Sequence, residues 1–157
     1  MIMMNRAIII VSFFPLIVNK KLVSADIVKI TVPEIVVSAG KKAVIKMEVE
    51  IKKGYHIQAN KVNDELLIPA SVKIDEDKNI TTGRQEFPPA KKIKLEGADN
   101  VLDVYDGVIE IRIPFKTIET IPKGKYLLKA KLHFQACDNK TCLFPKSIEF
   151  FIPIKVV

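Results

Sequence analysis

The chain places its two cysteines in one short stretch, "FQACDNKTCLFP", Phe134 to Pro145, with four residues between Cys137 and Cys142. Two thiols at this spacing can serve as a structural staple, as part of a metal site or as a redox pair. As a staple they are weak. A bridge closing about 6 residues removes roughly 2 kcal/mol of loop entropy, against about 4.7 for a 100-residue loop. Disulfides that stabilise immunoglobulin-type domains join distant strands across the core, whereas this pair joins a strand end to the loop beside it. Strand parity also places Cys137 with the outward residues His133 and Gln135, not with the inward Leu132 and Phe134.

Metal chemistry fits poorly. The chain has two Cys and two His, but both histidines precede both cysteines, which is the wrong order for a zinc finger. His133, Cys137 and Cys142 would have to converge from an extended strand, and His56 lies far upstream. A hydrogen-bonded or exposed strand histidine is the expectation for each, with no metal and no cofactor. Redox exchange needs an accessible sulfur, a neighbouring thiol and a partner surface. The short bridge supplies the first two, and Leu143-Phe144-Pro145 supplies an apolar patch beside it. Asp138 disfavours a thiolate nearby and Lys140 favours one. Staple and redox pair both stand at this point.

The elements that must position this loop read as strands. Alternation of apolar and polar residues is the dominant pattern. Ala43 to Ile51 points Ile45, Met47, Val49 and Ile51 to one face. Val108 to Phe115 does the same with Ile109, Ile111, Ile113 and Phe115, and its Pro114 suits an edge or a bulge. Tyr126 to Ala136 turns Leu128, Ala130, Leu132 and Phe134 inward, and Ser147 to Ile154 turns Ile148, Phe150, Ile152 and Ile154 inward. Weaker strands are expected at 27–32, 35–37, 55–59 and 71–74. Gly-, Pro- and Asp-containing turns separate them. The stretch 79–106 carries little pattern. Short strands with one apolar face each predict an all-β fold, an immunoglobulin-like antiparallel β-sandwich, with a small closed barrel as the alternative.

The N-terminus is expected to be removed. Arg6, the uncharged run Ala7 to Val18 and the small residues of Val23-Ser24-Ala25 have the layout of a secretory signal peptide. The run is twelve residues long, and a membrane-spanning helix takes about 20. The predicted organisation is therefore residues 1–25 as signal peptide and 26–157 as one domain, extracytoplasmic, soluble and with no membrane span after cleavage. Loss of Arg6, Lys20 and Lys21 lowers the formal charge of +7 by three. Lysines and glutamates alternate along the chain, and Lys91-Lys92-Ile93-Lys94 has no interleaved aromatic residue, so no nucleic acid is expected as a partner. In an oxidising compartment a disulfide persists.

Phe134-Gln135-Ala136-Cys137 followed by Cys142-Leu143-Phe144-Pro145 resembles the Tyr-Gln-x-Cys … Cys-x-Pro-Pro pattern of the N-terminal periplasmic domain of the thiol:disulfide interchange protein DsbD. Gly54-Tyr55-His56-Ile57 with Asn60, Leu67-Ile68-Pro69, Phe87-Pro88 and Val104-Tyr105-Asp106-Gly107 accompany it in the family's order, over about Ile27 to Ile154. The resemblance implies an immunoglobulin-like domain, without cofactor, that takes electrons from a thioredoxin-like domain. It passes them to periplasmic thiol proteins, including disulfide isomerases and cytochrome c maturation factors, as a component of protein-disulfide reduction. It implies that Cys137 and Cys142 are the redox pair, with Cys142 forming the mixed disulfide and Cys137 resolving it. Phe134, Gln135, Leu143 and Phe144 would contact the partner. Phe134 and Phe144 depart from the family's Tyr and Pro. The family's aromatic cap over its disulfide has no clear counterpart in Ile93 to Asp103, where Leu95 or Leu102 would have to serve. The chain carries neither transmembrane segments nor a Cys-x-x-Cys module, so a separate membrane or thioredoxin-like donor is implied. The alternative is a non-catalytic protein-binding sandwich with Cys137–Cys142 as a clip.

Overall fold

The computed structural model describes residues 20–24, 26–97 and 99–157. They form strands β1 (Lys20–Ser24), β2 (Val28–Pro33), β3 (Ile35–Val37), β4 (Lys42–Ile51), β5 (His56–Gln58), β6 (Ser71–Ile74) and β7 (Ile80–Thr82). These are followed by β8 (Lys91–Lys94), β9 (Val101–Tyr105), β10 (Val108–Thr117), β11 (Gly124–Phe134), β12 (Ala136–Cys137) and β13 (Lys146–Val156). No helix occurs among the described residues. One sheet has the order β1-β2-β4-β10-β7, a second β3-β13-β11-β6, and a third, smaller one β12-β5-β9-β8. Every pairing is antiparallel except β3 with β13. The fold is an all-β, immunoglobulin-like sandwich.

The long strands form because each carries one complete apolar face. In the β4–β10 ladder Ile45, Met47 and Val49 lie directly opposite Ile113, Ile111 and Ile109. In the β11–β13 ladder Leu128, Ala130 and Leu132 lie opposite Ile152, Phe150 and Ile148. Cross-strand pairs of this kind are the unit of sheet stabilisation. The two apolar faces bury each other, and all sixteen inward residues expected above, from Ile45 to Ile154, belong to the core cluster. The opposite faces carry charge. Glu149 on β13 lies 3.2 and 3.1 Å from the amines of Lys129 and Lys131 on β11. Solvent-facing pairs like these add little stability, so burial holds the sheets together.

The stretch 79–106 departs from the sequence reading, because it contains β7, β8 and β9. Strand β8 is lysine-rich, with only Ile93 partly buried, and β7 has three residues; neither is long enough or two-faced enough to show alternation. Pro114 does not lie on an edge strand, since β10 is flanked by β4 and β7. Beyond Thr82 the β7 ladder gives way to Gly83, whose N–H donates to the Pro114 carbonyl at 2.7 Å. The neighbouring Arg112 pairs with Glu86. The proposed leader lies outside the described residues except for β1, whose backbone runs along β2 from Lys20↔Pro33 to Ser24↔Lys29.

The small sheet sits at one end of the sandwich and is fed from both layers. Strand β4 continues into β5 through a turn at Gly54 (φ 86°), and β9 leads into β10 through Gly107 (φ 65°). Both glycines occupy the left-handed region that L side chains rarely adopt. From the other layer, β11 passes through Gln135 into β12. The cysteines are on this third sheet.

Candidate functional site

The crossover at Gln135 determines what covers the first cysteine. Strand β12 pairs with β5 through Ala136↔Ile57 and Cys137↔His56, and the Gln58 N–H donates to the Gln135 carbonyl at 2.9 Å. The facing counted along β11 continues across this step: Ala136 shares the core side of Leu132 and Phe134, and Cys137 takes the opposite side. Ala136 and Ile57 join the main core. Cys137 faces away from that core but is fully buried (0% exposed), with His56 and Gln58 of β5. Cys137 keeps the facing that its parity predicts, away from the core, but it is covered there by β5 and the cysteine loop instead of exposed. All three residues of β5 are buried, because one face meets the core and the other meets the cysteine loop.

Cys137 and Cys142 form a disulfide, 1.98 Å between sulfurs, across a hairpin that has its own hydrogen bonds. The Asp138 N–H donates to the Thr141 carbonyl at 2.9 Å, and the Leu143 N–H to the Ala136 carbonyl at 2.7 Å. Asp138 Oδ1 accepts the Lys140 and Thr141 N–H groups at 2.7 and 2.8 Å. Those two amides hold the Asp138 carboxyl below its usual range. This is an Asx-type turn, in which a short acid organises the backbone that follows it. The loop therefore has a scaffold of hydrogen bonds besides the sulfur–sulfur bond.

The two sulfurs are unequally accessible. Cys137 is sealed, whereas Cys142 is half-buried and lines an open cleft of about 490 Å³ with Gln135, Leu143 and Phe144. On the buried side Gln58, itself 0% exposed, places Nε2 3.1 Å from Cys137 Sγ and 3.6 Å from Cys142 Sγ. Its Oε1 has no hydrogen-bond partner, and neither does His56 Nε2. Burial pushes the His56 pKa below its ordinary value, against the opposing charges of Asp106 and Asp138. The ring beside Cys137 is thus neutral near pH 7.

Of the expected partner-contact residues, Phe144 presents a free face, with 92% of its surface exposed. Phe134 is corrected: at 1% exposure it is a core side chain and has no surface to offer. Gln135 is a strut. Its Oε1 accepts the Ile68 N–H at 2.9 Å and its Nε2 donates to the Leu143 carbonyl at 3.2 Å, so it ties together the two loops flanking the disulfide. Leu143 is half-buried and packs on the core. Leu66, not anticipated, is 85% exposed and shares a cavity of about 510 Å³ with Gln58 and Leu102. Gln58 was also missed; its only sequence signal was standing two residues after His56 in a strand. The loop after β8 touches the cysteine loop through the Glu96 N–H and the Asn139 carbonyl, 3.0 Å apart. Leu102, opposite Ile93 in the β8–β9 pair, is buried at 8% exposure. His133 hydrogen-bonds Ser147 Oγ at 2.8 Å. Among the described residues no three metal-ligating side chains converge, and no helix is long and apolar enough to cross a membrane.

The structure resembles the N-terminal periplasmic domain of ScsB from Proteus mirabilis, with a TM-score of 0.59 and 13% identity over 85% of this chain and 49% of that one. The chain thus spans about half the length of that protein. It also matches the N-terminal domain of DsbD from Neisseria meningitidis in its reduced form, with a TM-score of 0.48 and 18% identity over 73% of this chain and 79% of that one. No curated protein sequence matches the chain. The family model described as "Thiol:disulfide interchange protein DsbD, N-terminal" matches residues 26–152, most of the chain and all of the cysteine hairpin, and the chain belongs to that family.

Proposed function

We propose that the chain is an exported thiol–disulfide exchange domain that relays electrons between proteins through Cys137 and Cys142. One observation carries this reading. The disulfide spans a hairpin that is hydrogen-bonded without it, with one sulfur sealed and the other open to a cleft. A partner's thiolate reaches Cys142, and Cys137 is the leaving group. After reduction the scaffold keeps Cys137 beside Cys142, where it resolves the mixed disulfide. Exposed Phe144, in the cleft with Cys142, is an apolar surface for thioredoxin-like periplasmic proteins. Electrons would enter from a separate membrane or thioredoxin-like donor. The chemistry needs no cofactor, because both bonds exchanged are between sulfurs.

The reduction potential tests this directly. A structural disulfide lies below about −300 mV, and a working relay lies above it. Equilibration with glutathione buffers should give a value less negative than that limit. A more negative value would make the bond a clip and the domain a non-catalytic binding module.

Export belongs to the same reading and rests on Arg6, the Ala7–Val18 run and Val23-Ser24-Ala25. Cleavage after Ala25 removes β1 and leaves the outer edge of β2 open. N-terminal sequencing of the protein from the periplasmic fraction should begin at Asp26. A chain that retains Lys20–Ser24 would show that β1 is part of the mature sheet and that the cleavage site is wrong.

A further inference from the structure

Gln58 is wholly buried, yet its amide is spent on sulfur. Among the described residues it is the one side chain that donates a hydrogen bond to either cysteine sulfur, at 3.1 Å to Cys137 and 3.6 Å to Cys142. Sulfur is a weak acceptor, and a buried amide oxygen left without a partner costs free energy. In the oxidised state Gln58 therefore makes a poor set of bonds. The orientation has a physical basis: disulfide sulfurs carry no proton, so the amide oxygen facing them would set lone pair against lone pair. The arrangement improves when Cys137 becomes an anion, because hydrogen bonds to charged acceptors are about twice as strong as neutral ones.

We infer that Gln58 is a catalytic residue of the exchange, with Nε2 stabilising the thiolate that leaves on Cys137. The inference rests on the exchange reading above. In the forward step a protein dithiol supplies a thiolate that attacks Cys142 Sγ. The Cys137–Cys142 bond breaks as the partner–Cys142 bond forms, and the electron pair leaves on Cys137 Sγ, toward Gln58 Nε2. The partner's second thiolate then attacks its own sulfur in the mixed disulfide and releases Cys142. The partner is oxidised to a disulfide and the pair is reduced by two electrons. The protons shed by the partner's thiols pass to solvent, which reprotonates Cys137 and Cys142.

The other groups around Cys137 do not replace this donor. His56 faces it from β5 but is buried and neutral. Asp138 follows it in the loop, with its carboxylate engaged by the Lys140 and Thr141 amides. Asp106, after β9, adds a negative charge near His56. The two acids disfavour an anion at Cys137; exposed Lys140 favours one only through charge screened by solvent, whereas the Gln58 amide favours it by direct contact.

The test uses the Cys142→Ala protein, in which Cys137 titrates alone and its thiolate is followed by ultraviolet absorbance. Gln58→Met keeps the length and removes the donor, and it should raise the Cys137 midpoint by about one pH unit. Gln58→Leu, which also removes the donor, should raise it by a similar amount. In the two-cysteine protein, Gln58→Met should slow reduction by dithiothreitol several-fold, since a more basic thiolate is a poorer leaving group. Equal midpoints for Gln and Met in folded proteins would overturn the proposal. If the Met variant fails to fold, an unshifted midpoint in the Leu variant would do the same. The two readings fail separately. A Gln58-dependent midpoint without any mixed disulfide to a thioredoxin-like protein would sink the relay and leave the thiolate donor standing. Trapping with an unmoved midpoint would do the reverse.

Discussion

Cys137→Ala should accumulate covalent complexes with thioredoxin-like proteins of the periplasm, seen as slow bands on non-reducing gels and lost on reduction. The variant leaves Cys142 at the open cleft, able to form a mixed disulfide, and removes the thiol beside it that would resolve the complex. Cys142→Ala should trap far less, because Cys137 is 0% exposed and an incoming sulfur cannot align with it. Both variants should remain folded. The bridge contributes about 2 kcal/mol of loop entropy, and the Asp138 turn with the Leu143–Ala136 hydrogen bond retains the hairpin. If neither variant traps a partner and both lose much of their thermal stability, the cysteines are a clip. If Cys137 is the sulfur that traps, the relay survives with the two roles exchanged.

Ile111→Ala should lower unfolding free energy by about 2–5 kcal/mol, the cost of deleting a large side chain that leaves a cavity. Ile111 is 0% exposed at the centre of β10, directly opposite Met47 in the β4 ladder. The facing sheet has little freedom to close over the gap, because β11 and β13 are paired along their whole length. Urea unfolding of the oxidised protein gives the measurement, with Glu110→Ala on the exposed face of the same strand as a control that should barely move. A loss below about 0.5 kcal/mol at Ile111 would mean that β10 presents its other face to the core, and the register of both sheets would have to change.

The four long strands were legible because each is polar on one side and apolar on the other. Alternation along β4, β10, β11 and β13 is a local property, readable within ten residues, and it marks the core face directly. The cysteine pair and the pattern around it were legible in one short stretch, the family in that stretch and the motifs that accompany it, and the sandwich class in the alternating strands. Strands β7, β8 and β12 escaped notice because they are two to four residues long; what makes them strands is the neighbour they pair with. Strand β5 has no exposed residue and so no alternation, and the sequence marked it only as a weak strand at 55–59.

Which sulfur is sealed was decided by tertiary structure alone. Parity along β11 placed Cys137 on the side away from the core, and it lies there, but β5 and the cysteine loop close over it. The same holds for Gln58 and Cys137, which are 79 residues apart in the chain and 3.1 Å apart in the fold, and for Gln135, whose amide joins loops that the sequence keeps separate. Periodicity reports how a strand faces its own sheet. It carries no information about the strand that a third sheet brings alongside, and the disulfide takes its surroundings from that strand.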